Sequence, residues 1–163
     1  MKCDNLEALR DALIVRKKAT NVLKNLALQE QKRIEILSDE MVQKDDEDTK
    51  IKMRTERFNE WLIRKECDTV ATCAADITGC LRSANTIYPD KTNPAFHDEV
   101  AERRVYMDKA LCACNRLQDE LQYIAESVYA DKNKFTALVL EIDTLFRKIK
   151  ALRQSDNRFW KKV

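Results

Sequence analysis

The stretch FTALVLEIDTLFRKIKAL, from Phe135 to Leu152, decides the fold. Within it Phe135, Leu138, Ile142, Leu145, Ile149 and Leu152 recur at alternating steps of three and four residues. That spacing places them on one side of a helix, as a seam buried against other helices. The same helix then turns basic, with Arg147, Lys148, Lys150, Arg153, Arg158, Lys161 and Lys162, and carries Phe159 and Trp160 among these charges. One end reads as part of a bundle. The other offers positive charge and aromatic surface to a partner.

Working outward, the composition agrees with long amphipathic helices. Of 163 residues, 36% are charged and 44% hydrophobic, while one glycine and two prolines leave little material for tight turns or hairpins. The length suits one domain with a real core. The expected fold is all-α, an up-down-up-down antiparallel four-helix bundle spanning 1–163. Its helices are predicted at about 5–43, 51–87, 94–129 and 132–155, followed by a basic tail over 156–163.

The first helix is predicted to start at Asp4, with Glu7 in capping-box spacing. Its stripe is Leu6, Leu9, Leu13, Leu23, Ala27, Ile34, Leu37 and Met41, interrupted by Arg16, Thr20 and Glu30. Lys44 to Lys50, rich in Asp and Glu, reads as a charged loop. The second stripe is Phe58, Leu62, Val70, Cys73, Ile77, Leu81, Ala84 and Ile87. Gly79 lies inside that helix, where a close helix–helix approach would compensate its cost of about 1 kcal/mol. Tyr88-Pro89 ends the second helix, and Asn93-Pro94 caps and opens the third. The third stripe is Val100, Arg104, Met107, Leu111, Cys114, Leu117, Leu121, Ile124 and Val128, and Asp131 caps the fourth helix after a short turn.

Charge is unevenly placed on a chain of formal net charge +2. Residues 131–163 hold nine Lys/Arg against four Asp/Glu, and the remainder holds 21 against 24. A basic terminus on a near-neutral body points to a local anionic contact. No apolar run is long enough to span a bilayer, and Met1 to Arg10 does not read as a signal peptide, so a cytoplasmic protein is expected. The six cysteines are expected mainly as buried thiols, with Cys73 and Cys114 on facing stripes.

An enzyme finds little support. No glycine-rich phosphate loop is present, and His97, the single histidine, excludes the paired Glu-x-x-His motifs of di-iron bundles. No cofactor or metal is expected. The cations are more informative. Arg103 and Arg104 are adjacent, and a seam arginine such as Arg104 must pair, with Glu99 or Asp108, or face an anion at an oligomer interface or pore. Arg147, Lys150 and Arg153 recur at three-residue steps, a row that suits phosphates, and Arg158 and Lys161 extend it. Phe159 and Trp160 either stack on an unpaired base or close the core.

Three stretches, Ala84-Asn85-Thr86-Ile87-Tyr88-Pro89, then Arg103-Arg104 with Tyr106 and Ala110, then Lys150-Ala151-Leu152-Arg153-Gln154-Ser155-Asp156-Asn157-Arg158, occur in that order. Together they resemble the accessory variability determinant family, the four-helix-bundle accessory proteins of diversity-generating retroelements, over roughly residues 60 to 158. The resemblance implies a non-enzymatic, ring-forming homo-oligomer, a pentamer, that binds RNA or DNA and docks onto a reverse transcriptase during mutagenic cDNA synthesis. It carries over Arg103, Arg104, Lys150, Arg153 and Arg158 as nucleic-acid contacts. The alternative expectation is a homo-oligomeric protein–protein scaffold with no nucleic-acid role, in which seam positions such as Leu23 and Leu37 receive a partner helix.

Overall fold

The computed structural model describes residues 2–128 and 132–160, with side chains from Leu6 onward. It is an all-α four-helix bundle made of α1 (Lys2–Gln43), α2 (Glu47–Thr86), α3 (Phe96–Ser127) and α4 (Lys132–Trp160). Each helix packs against its two neighbours in the cycle α1–α2–α3–α4, and the diagonal pairs do not approach. Short connections make sequential helices antiparallel. Among the described residues no helix is long and apolar enough to cross a membrane.

The core seams of α2, α3 and α4 follow the periodicity of the sequence. Leu117, Leu121, Ile124, Ile142, Leu145 and Ile149 are almost fully buried and face Val70, Cys73, Ile77 and Leu81. The first helix differs. Its seam is Ala8, Ala12, Val15, Ala19, Leu23 and Leu26, while Leu6 and Leu13 are exposed. Small side chains at the contact let α1 pack closely, and Leu6 and Leu13 flank the seam instead of forming it. Leu23 therefore belongs to the core, which removes it as a docking position.

Helix boundaries shift where polar residues cap. The charged connection is shorter than expected, covering only Lys44, Asp45 and Asp46: Asp46 is the N-cap of α2 and accepts from the Thr49 amide at 2.7 Å, with Glu47 and Asp48 already in the first turn. Negative charge at a helix start is stabilising, so the second half of the acidic run belongs to α2. Asn93 forms a turn ahead of α3, its side chain accepting from Ala95 N at 3.0 Å, so the helix opens at Phe96 and not at Pro94. α1 begins at Lys2, before the expected cap at Asp4, and Glu7 pairs with Lys148 at 2.8 Å. α4 continues through Trp160, so residues 156–160 are helix and not a tail. The Asp131 cap lies outside the described residues.

Gly79 makes no close contact. It is exposed, and a β-carbon built there would meet nothing within 4 Å. Ile87 lies just beyond α2 as its C-cap, and Phe58 is 59% exposed, so neither extends the buried stripe.

The helices differ in length, which leaves part of α1 and α2 unaccompanied. Lys18 pairs with Glu141, so Lys132 stands level with about residue 27 of α1. Glu66 of α2 faces Glu120 of α3, placing Ser127 level with about residue 59 of α2. Beyond these levels α1 and α2 continue as a two-helix hairpin. At its base Glu30 is 1% exposed, bonded to Arg33 at 3.1 Å and facing Glu56 of α2.

Candidate nucleic-acid interface

Of the seven cations expected to contact nucleic acid, the six among the described residues do not form one continuous surface. Arg103, expected as a nucleic-acid contact beside a seam arginine, is the buried one, at 2% exposure. Its Nε donates to Asp156 Oδ2 at 2.7 Å. Its Nη1 donates to the carbonyls of Ala84 and of Ile87, the latter at 3.2 Å. Those carbonyls lie where α2 stops, so one guanidinium supplies the donors that the helix end lacks. The guanidinium carbon sits 5.4 Å from the Trp160 ring, in reach of a cation–π contact. Burial pushes the Asp156 carboxyl up from its ordinary value, and the Arg103 contact opposes that shift.

This arrangement has a consequence for the three stretches quoted above. The end of α2, Arg103 on α3 and Asp156 on α4 are parts of one buried node. Arg103 is a clamp between three helices and no ligand reaches it without opening the fold. Arg104, expected on the seam, is exposed instead, because Met107 and Ala110 set the buried side of α3 one residue round from it. Neither expected partner holds Arg104: Asp108 is taken by Arg153, and Glu99 accepts from Asn93 and from the Asp90 amide.

The row on α4 is partly neutralised. Arg153 forks onto Asp108 of α3, with Nη2 to Oδ2 at 3.0 Å. Arg147 pairs with Asp143 one turn earlier at 2.8 Å. Lys148 turns the other way, onto Glu7 and Asp11 of α1. Lys150 and Arg158 remain exposed with no carboxylate in ion-pair distance among the described residues. Arg147, Lys150, Gln154 and Arg158 follow steps of three, four and four, forming one outward ridge. Arg104 and Arg153 border one small cleft with Asn157 and Trp160. Lys161 lies outside the described residues.

The aromatic pair at the end of α4 divides its roles. Trp160 is buried and closes the core over Arg103, whereas Phe159 is 52% exposed with Lys91 over its ring at 5.7 Å. Burial raises the Cys73 thiol and pushes the Cys114 thiol up to about 12, so both stay protonated core groups. Cys112 is exposed and lines a groove of about 560 Å³ between α2 and α3, together with Cys80, Lys109 and Arg116. Among the described residues no group of three or more His, Cys, Asp or Glu is placed to hold a metal ion.

A second cationic and aromatic surface was not read from the sequence. On α2, Phe58 and Trp61 are 59% and 52% exposed, and their ring centroids are 5.5 Å apart. Lys65 lies over the Trp61 ring at 5.1 Å. Placing Phe58 on the buried stripe concealed it; the signal was the basic run around Arg54, Arg57, Arg64 and Lys65. No family model matches this chain, and neither does a curated protein or a solved structure.

Proposed function

We propose that this protein is a non-enzymatic, nucleic-acid-binding helical subunit that accompanies a reverse transcriptase in the cytoplasm. The observation that carries the binding role is the exposed, unneutralised set of Arg104, Lys150 and Arg158 on α3 and α4. Phosphates are recognised by such cations without further machinery, and each contact displaces counterions. The polymerase partner rests on the resemblance. The convergence of its three stretches on Arg103 supports that resemblance, because it gives the motifs a single structural reason. As an oligomer, the subunit would repeat this ridge and multiply weak contacts.

The test is binding of a labelled oligonucleotide by the variant Arg104→Ala/Lys150→Ala/Arg158→Ala. Weakened binding with a shallower salt dependence supports the assignment. Unchanged binding removes these residues from it.

A second reading, a homo-oligomeric scaffold without nucleic acid, is favoured by a different feature. Leu6 and Leu13, one heptad apart on α1, are 65% and 45% exposed, and Leu140 on α4 is 62% exposed. Apolar side chains at such positions suit a helical neighbour. An oligomer that ignores RNA and DNA at low salt would select this reading.

A further inference from the structure

We infer that the outward face of α2, formed by Arg54, Phe58, Trp61 and Lys65 with Arg57 beside them, binds unpaired nucleotides of a single-stranded nucleic acid. This rests on the nucleic-acid reading above but on a separate surface, on a different helix and nearer the opposite end of the bundle.

Arg54, Phe58, Trp61 and Lys65 follow steps of four, three and four residues, so they share one side of the helix over about 16 Å. α3 and α4 end near this level, and the two rings face solvent. They are not isolated surface hydrophobes. They touch each other at a tilt of 36°, and Lys65 sits on the indole.

The charges on this face point the same way. Arg54 and Arg57 are exposed, with no carboxylate at ion-pair distance among the described residues. The two nearby acids are occupied elsewhere: Glu60 holds Arg64 at 2.8 Å, and Glu56 faces Glu30 in the α1–α2 contact. The face therefore combines flat aromatic surface with unneutralised cations. A base offers a π-face to the rings while its phosphates meet the arginines, a combination met by single strands and denied by the stacked interior of a duplex. An acidic peptide would satisfy the charges and leave the rings without a planar partner.

The experiment titrates the full chain with a short oligothymidylate, an oligouridylate, a DNA duplex and polyglutamate, following tryptophan emission and anisotropy together. Trp160 is buried, so quenching by a stacked base reports Trp61. Single strands are expected to quench emission, and the duplex to do so far less. Trp61→Ala should lose the quenching and weaken single-strand binding about tenfold while leaving its salt dependence unchanged. Arg54→Ala/Arg57→Ala should instead flatten that salt dependence. Both changes are at exposed positions, and circular dichroism checks that the bundle is retained.

If Trp61→Ala binds single strands as the wild type does, while Arg104→Ala/Lys150→Ala/Arg158→Ala does not, this face is excluded and the α3–α4 ridge stands. If polyglutamate binds as tightly and quenches as strongly, the face reads charge alone and the nucleotide assignment fails. If the wild type binds no nucleic acid at all, both assignments fall.

Discussion

Arg103 and Asp156, 53 residues apart in sequence, meet at 2.7 Å in the interior and fasten α3 to α4, while the same guanidinium holds the last carbonyls of α2. Breaking a buried pair leaves an uncompensated charge, a loss of about 3–5 kcal/mol. Arg103→Ala and Asp156→Ala are each expected to lose that much in urea unfolding followed by circular dichroism. A loss below about 1 kcal/mol for both would show that the node does not hold the bundle together.

Gly79 offers the opposite sign. It is helical, exposed and without neighbours for a β-carbon, so alanine there removes the backbone-entropy cost and adds no clash. Gly79→Ala should stabilise by about 1 kcal/mol and raise Tm by roughly 2–4 °C. A lower Tm would mean that another chain packs against this point of α2.

Glu30 makes stability depend on pH. Burial, with Glu56 adding to it, raises its carboxyl from 4.5 to about 7, against the opposing pull of Arg33. The folded state holds this proton more tightly than the unfolded chain does. Its contribution is therefore complete below about pH 4.5 and is lost as pH rises through 7. The loss amounts to roughly 3 kcal/mol at most. Glu30→Gln should flatten this decline and be more stable than the wild type at pH 8. A wild-type stability that is level between pH 5 and 8 would contradict it.

The thiols separate by exposure. Cys112 is exposed, alone among the described cysteines, while Cys73 and Cys114 are buried. Titration with a thiol reagent should modify Cys112 rapidly in the native protein. Cys73 and Cys114 should react only on unfolding, because a buried thiol held protonated is a poor nucleophile. Rapid native modification of Cys114 would show that the core opens readily.

How much of this was legible in the sequence depends on what each residue competes with. Three seams were readable, because Leu117, Leu121, Ile142 and Ile149 have no rival side on their helices. α1 was not, because alanine carries so weak a hydrophobic signal that Leu6 and Leu13 outvoted Ala8, Ala12 and Ala19. The same local bias misplaced the site. Periodicity gave Arg104 the seam, whereas the buried arginine is Arg103, whose partners lie 16 to 53 residues away and leave no local trace. The basic row on α4 was visible as a row, but Asp108, which takes up Arg153, and Glu7 and Asp11, which draw the neighbouring Lys148 away, come from other helices.

The most direct measurement is fluorescence anisotropy of the purified chain with labelled single-stranded RNA, single-stranded DNA and duplex DNA at two salt concentrations. Binding that weakens steeply with salt, and more for single strands than for duplex, is the expected result. No binding to any of the three at low salt would contradict the nucleic-acid role and leave a helical scaffold whose exposed cations are solvated surface.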